Sequence, residues 1–573
     1  MRVIVPISVG WTRLFSRWDL LAMLLILGML VFLAEASRHL FEPLTALQQQ
    51  PTSLDPRNLP EYAARTTLRM LVAMALSLLF TFTYATFAAK NHIAERILIP
   101  LLDILQSVPI LGFISVTVVF FMALAPGRVL GAEFAAIFAI FTSQAWNMAF
   151  SFYQSLRTVP AELEEASRNF HLTPWMRFWR LDVPFAMPQL IWNMMMSMSG
   201  SWFFVVASEA ISVGNTTVTL PGVGSYIALA IEHQDMHAVM WAIVTMLVVI
   251  LIYDQVLFRP LVAWADRFRF EQEAGILPPH SWVFDVLRRS RIIERMKQPF
   301  GALWRASMRP RREKPQAAEQ PQRFDHARLM FQLGIVVTAL AAIALWQSLQ
   351  FLITGITLSD IALALLLGLA TLARVVVLIA LASVIWVPIG VWVGTRPNAA
   401  LIVQPIAQFL AAFPANLLFP IVVSVIVAWK LNPDIWLSPL MILGTQWYIL
   451  FNVIAGASAI PAELRAAGAN FHVRGWLWWR RVALPAVMPY YVTGAITASG
   501  GSWNASIVAE VASWGNEHLQ AAGLGAYIAQ QTDAGDFHKI VLGICVMSLF
   551  VVVINRLFWR PLYFYAERKF RLG

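Results

Sequence analysis

Apolar runs long enough to cross a bilayer recur at about residues 20–38, 67–89, 98–124, 131–156, 186–212 and 238–258. After a polar interval, six more follow at about 330–353, 370–394, 400–428, 436–458, 487–511 and 540–559. Each predicts a membrane helix, because about 20 apolar residues match the hydrocarbon thickness. The fold class expected is an all-α polytopic membrane protein with about 12 transmembrane helices. An even number per set leaves both sets facing the same way, as two parallel six-helix repeats.

Composition agrees, since 59% hydrophobic and 13% charged residues exclude a soluble globular chain of 573 residues. The single cysteine, Cys545, lies inside an apolar run and excludes an intrachain disulfide framework. The net charge of +10 is concentrated between Leu261 and Arg328, with 14 Lys and Arg against 8 Asp and Glu. No aromatic-basic surface motif accompanies it, so it is read as membrane topology and not as nucleic-acid binding. Lys90, Arg96, Arg157, Arg168, Arg177 and Arg180 mark one face, whereas 214–240 carries no Lys or Arg. Both termini are therefore expected to be cytoplasmic. The predicted organisation is a first repeat (1–262), a basic linker (263–328) and a second repeat (329–573). Within the linker, 281–308 mixes apolar and basic residues as an amphipathic helix on the cytoplasmic leaflet would, and 309–322 reads as a tether.

The two sets are copies of each other. Residues 159–190 return 301 positions later at 460–491 without a gap, keeping Pro160/Pro461, Glu162/Glu463, Ala166/Ala467, Phe170/Phe471, His171/His472, Trp175/Trp476, Arg180/Arg481 and Pro184/Pro485. Each copy predicts a short helix after Pro160 or Pro461, a corner, and a second helix before Pro184 or Pro485. The match extends to Gly200-Ser201-Trp202 with Gly501-Ser502-Trp503, Glu209 with Glu510, and Gly222-Val223-Gly224 with Gly523-Leu524-Gly525. At an offset of 305, Thr66, Arg69 and Pro109 match Thr371, Arg374 and Pro414.

The duplicated loop resembles the cytoplasmic "EAA" loop of permease subunits of binding-protein-dependent ABC importers. The pattern appears as Glu165-Ala166-Ser167 with Val183-Pro184, and as Ala466-Ala467-Gly468 with Leu484-Pro485. His171 and His472 replace the pattern's glycine, and Ala466 replaces its glutamate in the second copy. The outlying pieces are similar to the nitrate, sulfonate and taurine branch. This resemblance implies that 160–181 and 461–482 couple to two copies of a cytoplasmic ABC ATPase, through Glu162, Glu165, Ala166, Phe170, His171, Glu463, Ala467, Phe471 and His472. It also implies a bacterial inner membrane, a periplasmic or extracellular substrate-binding protein at the opposite face, and a small anion as solute.

The chain carries no energy-coupling chemistry of its own. None of its six lysines stands in a Gly-Lys-Ser/Thr phosphate loop, so ATP and Mg are expected on the partner ATPase subunits and no cofactor on this chain. No catalytic constellation is present, and His233 and His237 lack a third ligand for a metal site. Glu209 and Glu510 near the ends of apolar helices read either as groups facing an aqueous path or as acceptors fixing a loop. Ser201, Trp202, Ser502, Trp503 and Asn504 on the same helices join them as candidates for the path, although small residues there also permit close packing. A twelve-span secondary transporter driven by an ion gradient is the alternative.

Overall fold

The computed structural model describes residues 17–37, 52–213, 216–268, 281–290 and 354–570, with isolated positions between 293 and 351. The first half comprises α1 (Arg17–Ser37), α2 (Leu59–Lys90), α3 (His92–Ser107), α4 (Ile110–Leu124), α5 (Val129–Arg157) and the short α6 (Ala161–Asn169). Then come α7 (Pro174–Glu209), α8 (Val223–Glu232) and α9 (Met236–Phe268). A linker helix, α10 (Trp282–Arg289), precedes the second half. That half comprises α11 (Leu358–Gly394), α12 (Pro397–Ala412), α13 (Ala415–Ala428), α14 (Trp447–Ser458), α15 (Ala462–Asn470), α16 (Gly475–Ala509), α17 (Leu524–Ala534) and α18 (Phe537–Lys569). Among the described residues, seven helices are individually long and apolar enough to cross a membrane, or nine if two bent pairs each count as one. The chain is an all-α polytopic membrane protein, and the expected span at 330–353 and the tether lie outside the described residues.

Four places depart from the sequence reading. The run at 98–124 is two helices, α3 and α4, broken at Val108-Pro109. Its counterpart at 400–428 breaks at Phe413-Pro414 and bends by 77° between α12 and α13. Only Trp447–Ser458 of the run at 436–458 is a long regular helix, preceded by short turns at Pro433–Trp436 and Ser438–Met441. Finally, α7 stops at Glu209 and α16 at Ala509, and each gives way to a hairpin. Strands β1 (Ala210–Val213) and β2 (Thr216–Thr219) pair antiparallel, as do β3 (Val511–Trp514) and β4 (Glu517–Gln520).

The breaks in the third spans interlock the halves. Leu111, at the start of α4, is buried in the core of the second half beside Trp503 and Ile507. Leu417, at the start of α13, is buried in the core of the first half with Met198 and Trp202. Asn504 of α16 accepts a hydrogen bond from the Ile110 amide (2.6 Å), and Asn416 of α13 donates to the Phe203 carbonyl (3.1 Å). The first bond satisfies backbone freed at the Pro109 break, which would otherwise face an apolar interior, and the second fastens the Pro414 break to a carbonyl of α7.

Prolines shape the long helices without ending them. Single π turns at Phe178–Asp182, Asp254–Phe258, Trp479–Ala483 and Asn555–Trp559 each end two residues before Pro184, Pro260, Pro485 or Pro561. Proline removes one amide and crowds the preceding turn, and a widened i→i−5 turn accommodates both effects. The second helix of each duplicated loop therefore runs on into the following span.

Of the stretch expected as an amphipathic helix at 281–308, the structure describes α10 over Trp282–Arg289, with Ser281 capping it through the Phe284 amide, and most of the remainder lies outside the described residues. Its apolar face is directed at protein, however. Val286 is buried with Ala22 and Ile293, and Ser290 donates to Asp19 of α1 (2.8 Å).

Candidate coupling loops and buried anchors

Each duplicated loop is a nine-residue helix closed by the same corner. In the first, the His171 amide donates to Arg168 and the Leu172 amide to Ser167; in the second, His472 donates to Ala469 and Val473 to Gly468. These paired bonds form a Schellman motif, which requires a left-handed residue just past the helix. His171 (φ 48°) and His472 (φ 55°) take that role, so the position where the resembled pattern has glycine is one where glycine is the relaxed residue. Replacing His171 by glycine should raise stability by about 1 kcal/mol, measured by thermal unfolding in detergent. A drop in stability would show that the imidazole makes contacts outweighing the backbone strain.

The corner displays a set of side chains to solvent. Phe170 and Phe471 are 78% and 82% exposed, and Glu162, Glu165, His171, Glu463 and His472 are exposed beside them. Ala166 and Ala467 are half-buried on the helix flank. A phenylalanine held outward on a rigid corner has lost little freedom and offers a large apolar contact.

Behind the two corners the halves differ. In the first, Asp182 on the π turn pairs with Lys90 at the end of α2 and lies 3.6 Å from Arg177, which in turn pairs with Glu164 of α6. Asp182 is buried, so this relay ties the loop helix to two membrane helices. At the matching positions the second half has Thr395, Ala483, Trp478 and Arg465, and Arg465 instead donates to the Ile460 carbonyl (2.8 Å). If the loop couples to an ATPase, as the resemblance implies, Asp182→Asn should leave ATP hydrolysis in place and reduce transport per ATP by about tenfold, a typical coupling free energy. Unchanged transport per ATP would remove the relay from the coupling route.

Glu209 and Glu510 are loop anchors in this conformation. Glu209 is fully buried and accepts from Thr66 (2.7 Å), Arg69 (2.6 Å) and the Gly224 amide (2.7 Å). Arg69 also holds Glu133 of α5 through two bonds (2.6 and 2.7 Å) and donates to the Pro221 carbonyl (3.1 Å). Glu510 repeats the pattern with Thr371 (2.8 Å), Arg374 (3.1 Å) and the Ala526 amide (3.1 Å). Thr66 and Thr371 additionally accept from the amides of Val223 and Leu524, which open α8 and α17. A Cβ on Gly222 would overlap the Glu209 carboxylate, and one on Gly523 the Glu510 carboxylate. The scattered repeat elements Thr-x-x-Arg, Glu and Gly-x-Gly thus converge on one knot per half, which fixes the hairpin to the membrane helices.

The remaining path candidates also pack inward. Ser201 meets Ser143 of α5 (2.6 Å) and Ser502 meets Thr445 (3.0 Å). Trp202 and Trp503 are buried against Tyr253 and Phe550. Of the seven, Asn504 alone bonds across to the other half. Sequence reasoning passed over Glu133 and its counterpart Asp434, which pairs with Arg374 (2.9 Å); both are acidic at the 301-residue offset, and that signal was available. The hairpins also had a signal, the Gly-Asn pairs at 214–215, between Val213 and Thr216, and at 515–516, directly after Trp514.

The comparisons agree with this duplicated architecture. The chain is 26% identical over 33% of its length to the bicarbonate transport system permease protein CmpB of Synechococcus elongatus, and covers 64% of that protein. It is likewise 26% identical over 33% of its length to the nitrate import permease protein NrtB of Leptolyngbya laminosa, with 64% of that protein covered. The glycine betaine/carnitine transport permease protein GbuB of Listeria monocytogenes is 26% identical over 33% of the chain, with 62% covered. The match thus spans just under two thirds of these curated relatives. The profile of the binding-protein-dependent transport system inner membrane component matches twice, at 68–259 and 386–559, well over half of the chain and once in each half. The chain belongs to that family, with two of its domains in one polypeptide.

Proposed function

We propose that this chain is the transmembrane permease component of an ATP-driven importer, its two halves forming the solute passage between them. Two copies of a cytoplasmic ABC ATPase dock on 160–181 and 461–482, and ATP and Mg bind there and not on this chain. A separate binding protein delivers solute at the hairpin face, and the protein lies in the bacterial inner membrane with both termini cytoplasmic. The observation that carries this reading is the twofold repetition of an exposed Phe-His corner on a Schellman-closed helix, inside a twice-matched permease domain. Nucleotide-driven closure of the ATPases would move these corners as levers and switch access between the two faces.

Relatives named for bicarbonate and nitrate support a small anion such as nitrate, a sulfonate or taurine. The secondary-transporter alternative is weakened by Glu209 and Glu510, whose carboxylates are committed to anchoring bonds. Affinity purification of the tagged chain from its native membrane tests the reading. An ATPase subunit should co-purify, and transport should stop when that subunit is deleted. A chain that purifies alone and transports by an uncoupler-sensitive route would make it a secondary transporter.

A further inference from the structure

The linker reaches the first duplicated loop. Its helix α10 is seated on the first half at several points: Val283 and Val286 are buried, Ser290 donates to the buried Asp19 of α1 (2.8 Å), and Ile293 is buried with Ala22. Two arginines brace it, Arg289 over the Trp18 ring (5.1 Å) and Arg267, at the end of α9, over Phe284 (5.5 Å). The linker is thus fastened to α1 and to the end of α9. Every described position between Ile293 and Trp304 is helical, and Trp304 then meets Trp179 edge to face with ring centroids 5.1 Å apart.

Trp179 lies on the π turn that carries the loop into α7. Its ring touches Trp175 (5.7 Å), Phe178 (5.0 Å) and Phe82 of α2 (6.0 Å), and Phe178 touches Phe152 of α5 (6.4 Å). Trp304 therefore closes a set of rings that leads from the corner into the core of the first half. The Trp179 indole N–H is buried with no hydrogen-bond partner among the described residues, so ring packing is what holds it.

The second loop is built otherwise. Where the first half has Phe82, Phe152 and Trp179, the second has Val387, Val453 and Arg480, and Arg480 is exposed. Trp304 can make its ring contact at the first loop and finds no equivalent at the other.

A corner passes a displacement only to what it is packed against. Its own span, the Asp182 relay and the ring set connect the first corner to α7, α2 and α5. Trp304 adds α1 and the end of α9, through the linker. From this we infer that the linker is a strap and Trp304 a positioning residue, holding the first corner to α1 and α9 so that those helices move with it. The inference rests on reading 160–181 as a coupling loop.

The test uses the complete transporter, counting uptake of labelled nitrate or taurine, whichever the unmodified chain carries, against ATP hydrolysed. Trp304→Ala should keep the ATPase bound and active yet lower transport per ATP about fivefold, within the range of one aromatic pair. Trp304→Phe, which keeps a ring, should recover most of it. A Trp179→Cys, Trp304→Cys pair in a Cys545→Ala background provides a second route, so that failure of one variant to fold leaves the other. The pair should be poorly coupled until a short bifunctional thiol reagent bridges it, and bridging should restore transport per ATP. One added link would not repair a general folding defect. Unchanged transport per ATP in Trp304→Ala, a bridge that forms without restoring coupling, or cysteines that fail to bridge in folded protein would each overturn the strap. If the cysteines bridge but no ATPase co-purifies, the coupling reading falls and the strap's role with it, while the docking of the linker on the loop stands.

Discussion

Arg69→Met should prevent accumulation of folded protein, whereas Arg374→Met should lower stability and still yield it. Both arginines anchor a buried glutamate, so the difference lies in their second acid. Arg69 is 3% exposed and its second acid, Glu133, is buried with it, so its removal leaves two carboxylates inside the protein without a cation. Breaking such a buried set costs about 3–5 kcal/mol, a large share of the stability of an ordinary domain. Arg374 pairs with Asp434, whose side chain is 52% exposed and can return to water. Glu510 keeps Thr371 and the Ala526 amide, so the expected loss is about 1–3 kcal/mol. Yield and thermal unfolding of the two variants in detergent measure the contrast. Equal behaviour would mean that the burial of Glu133 does not matter to the first knot.

The Glu162→Arg, Glu463→Arg double variant should lose the ATPase subunit on purification while remaining folded. Both glutamates are exposed in the first turn of their loop helices, so the exchange costs the folded chain little. At a docked interface, however, a reversed charge costs several kcal/mol, or about a hundredfold in affinity per site. The single variants should differ. Around Glu162 the first loop also presents Glu165 and Arg168, where the second has Ala466 and Ala469, so Glu463 carries a larger share of its loop's charge. Glu463→Arg should therefore weaken binding more than Glu162→Arg. Retention of the ATPase by the double variant at wild-type affinity would move docking away from these helices.

The sequence reading went furthest where the signal was repeated. A copied loop at a fixed offset located both exposed corners, and the apolar runs located nearly every long described helix. Runs of apolar residues report depth, though, and not direction. Ser201, Trp202 and Glu209 turn into their own half, while Asn504 on the equivalent helix bonds across to the other. That distinction depends on which neighbours the helix meets, and the neighbours come from the broken third spans. A break at Pro109 or Pro414 reads in sequence as one tolerated proline, because the groups that hold it, Asn504 for the Ile110 amide and the Phe203 carbonyl for Asn416, lie in the opposite half.

Leu111 and Leu417, each seated in the other half's core, have a consequence for how such a chain varies. Neither half is a closed unit, and each lacks one wedge that only its partner supplies. If the halves were separate subunits, two identical copies could meet, and every contact across the seam would occur twice with the same two residues. Joining them in one polypeptide makes the unlike pairing the default. The charged relay behind one corner and the bare one behind the other are a difference of this kind. They can be inherited together because one chain carries both members of each pair.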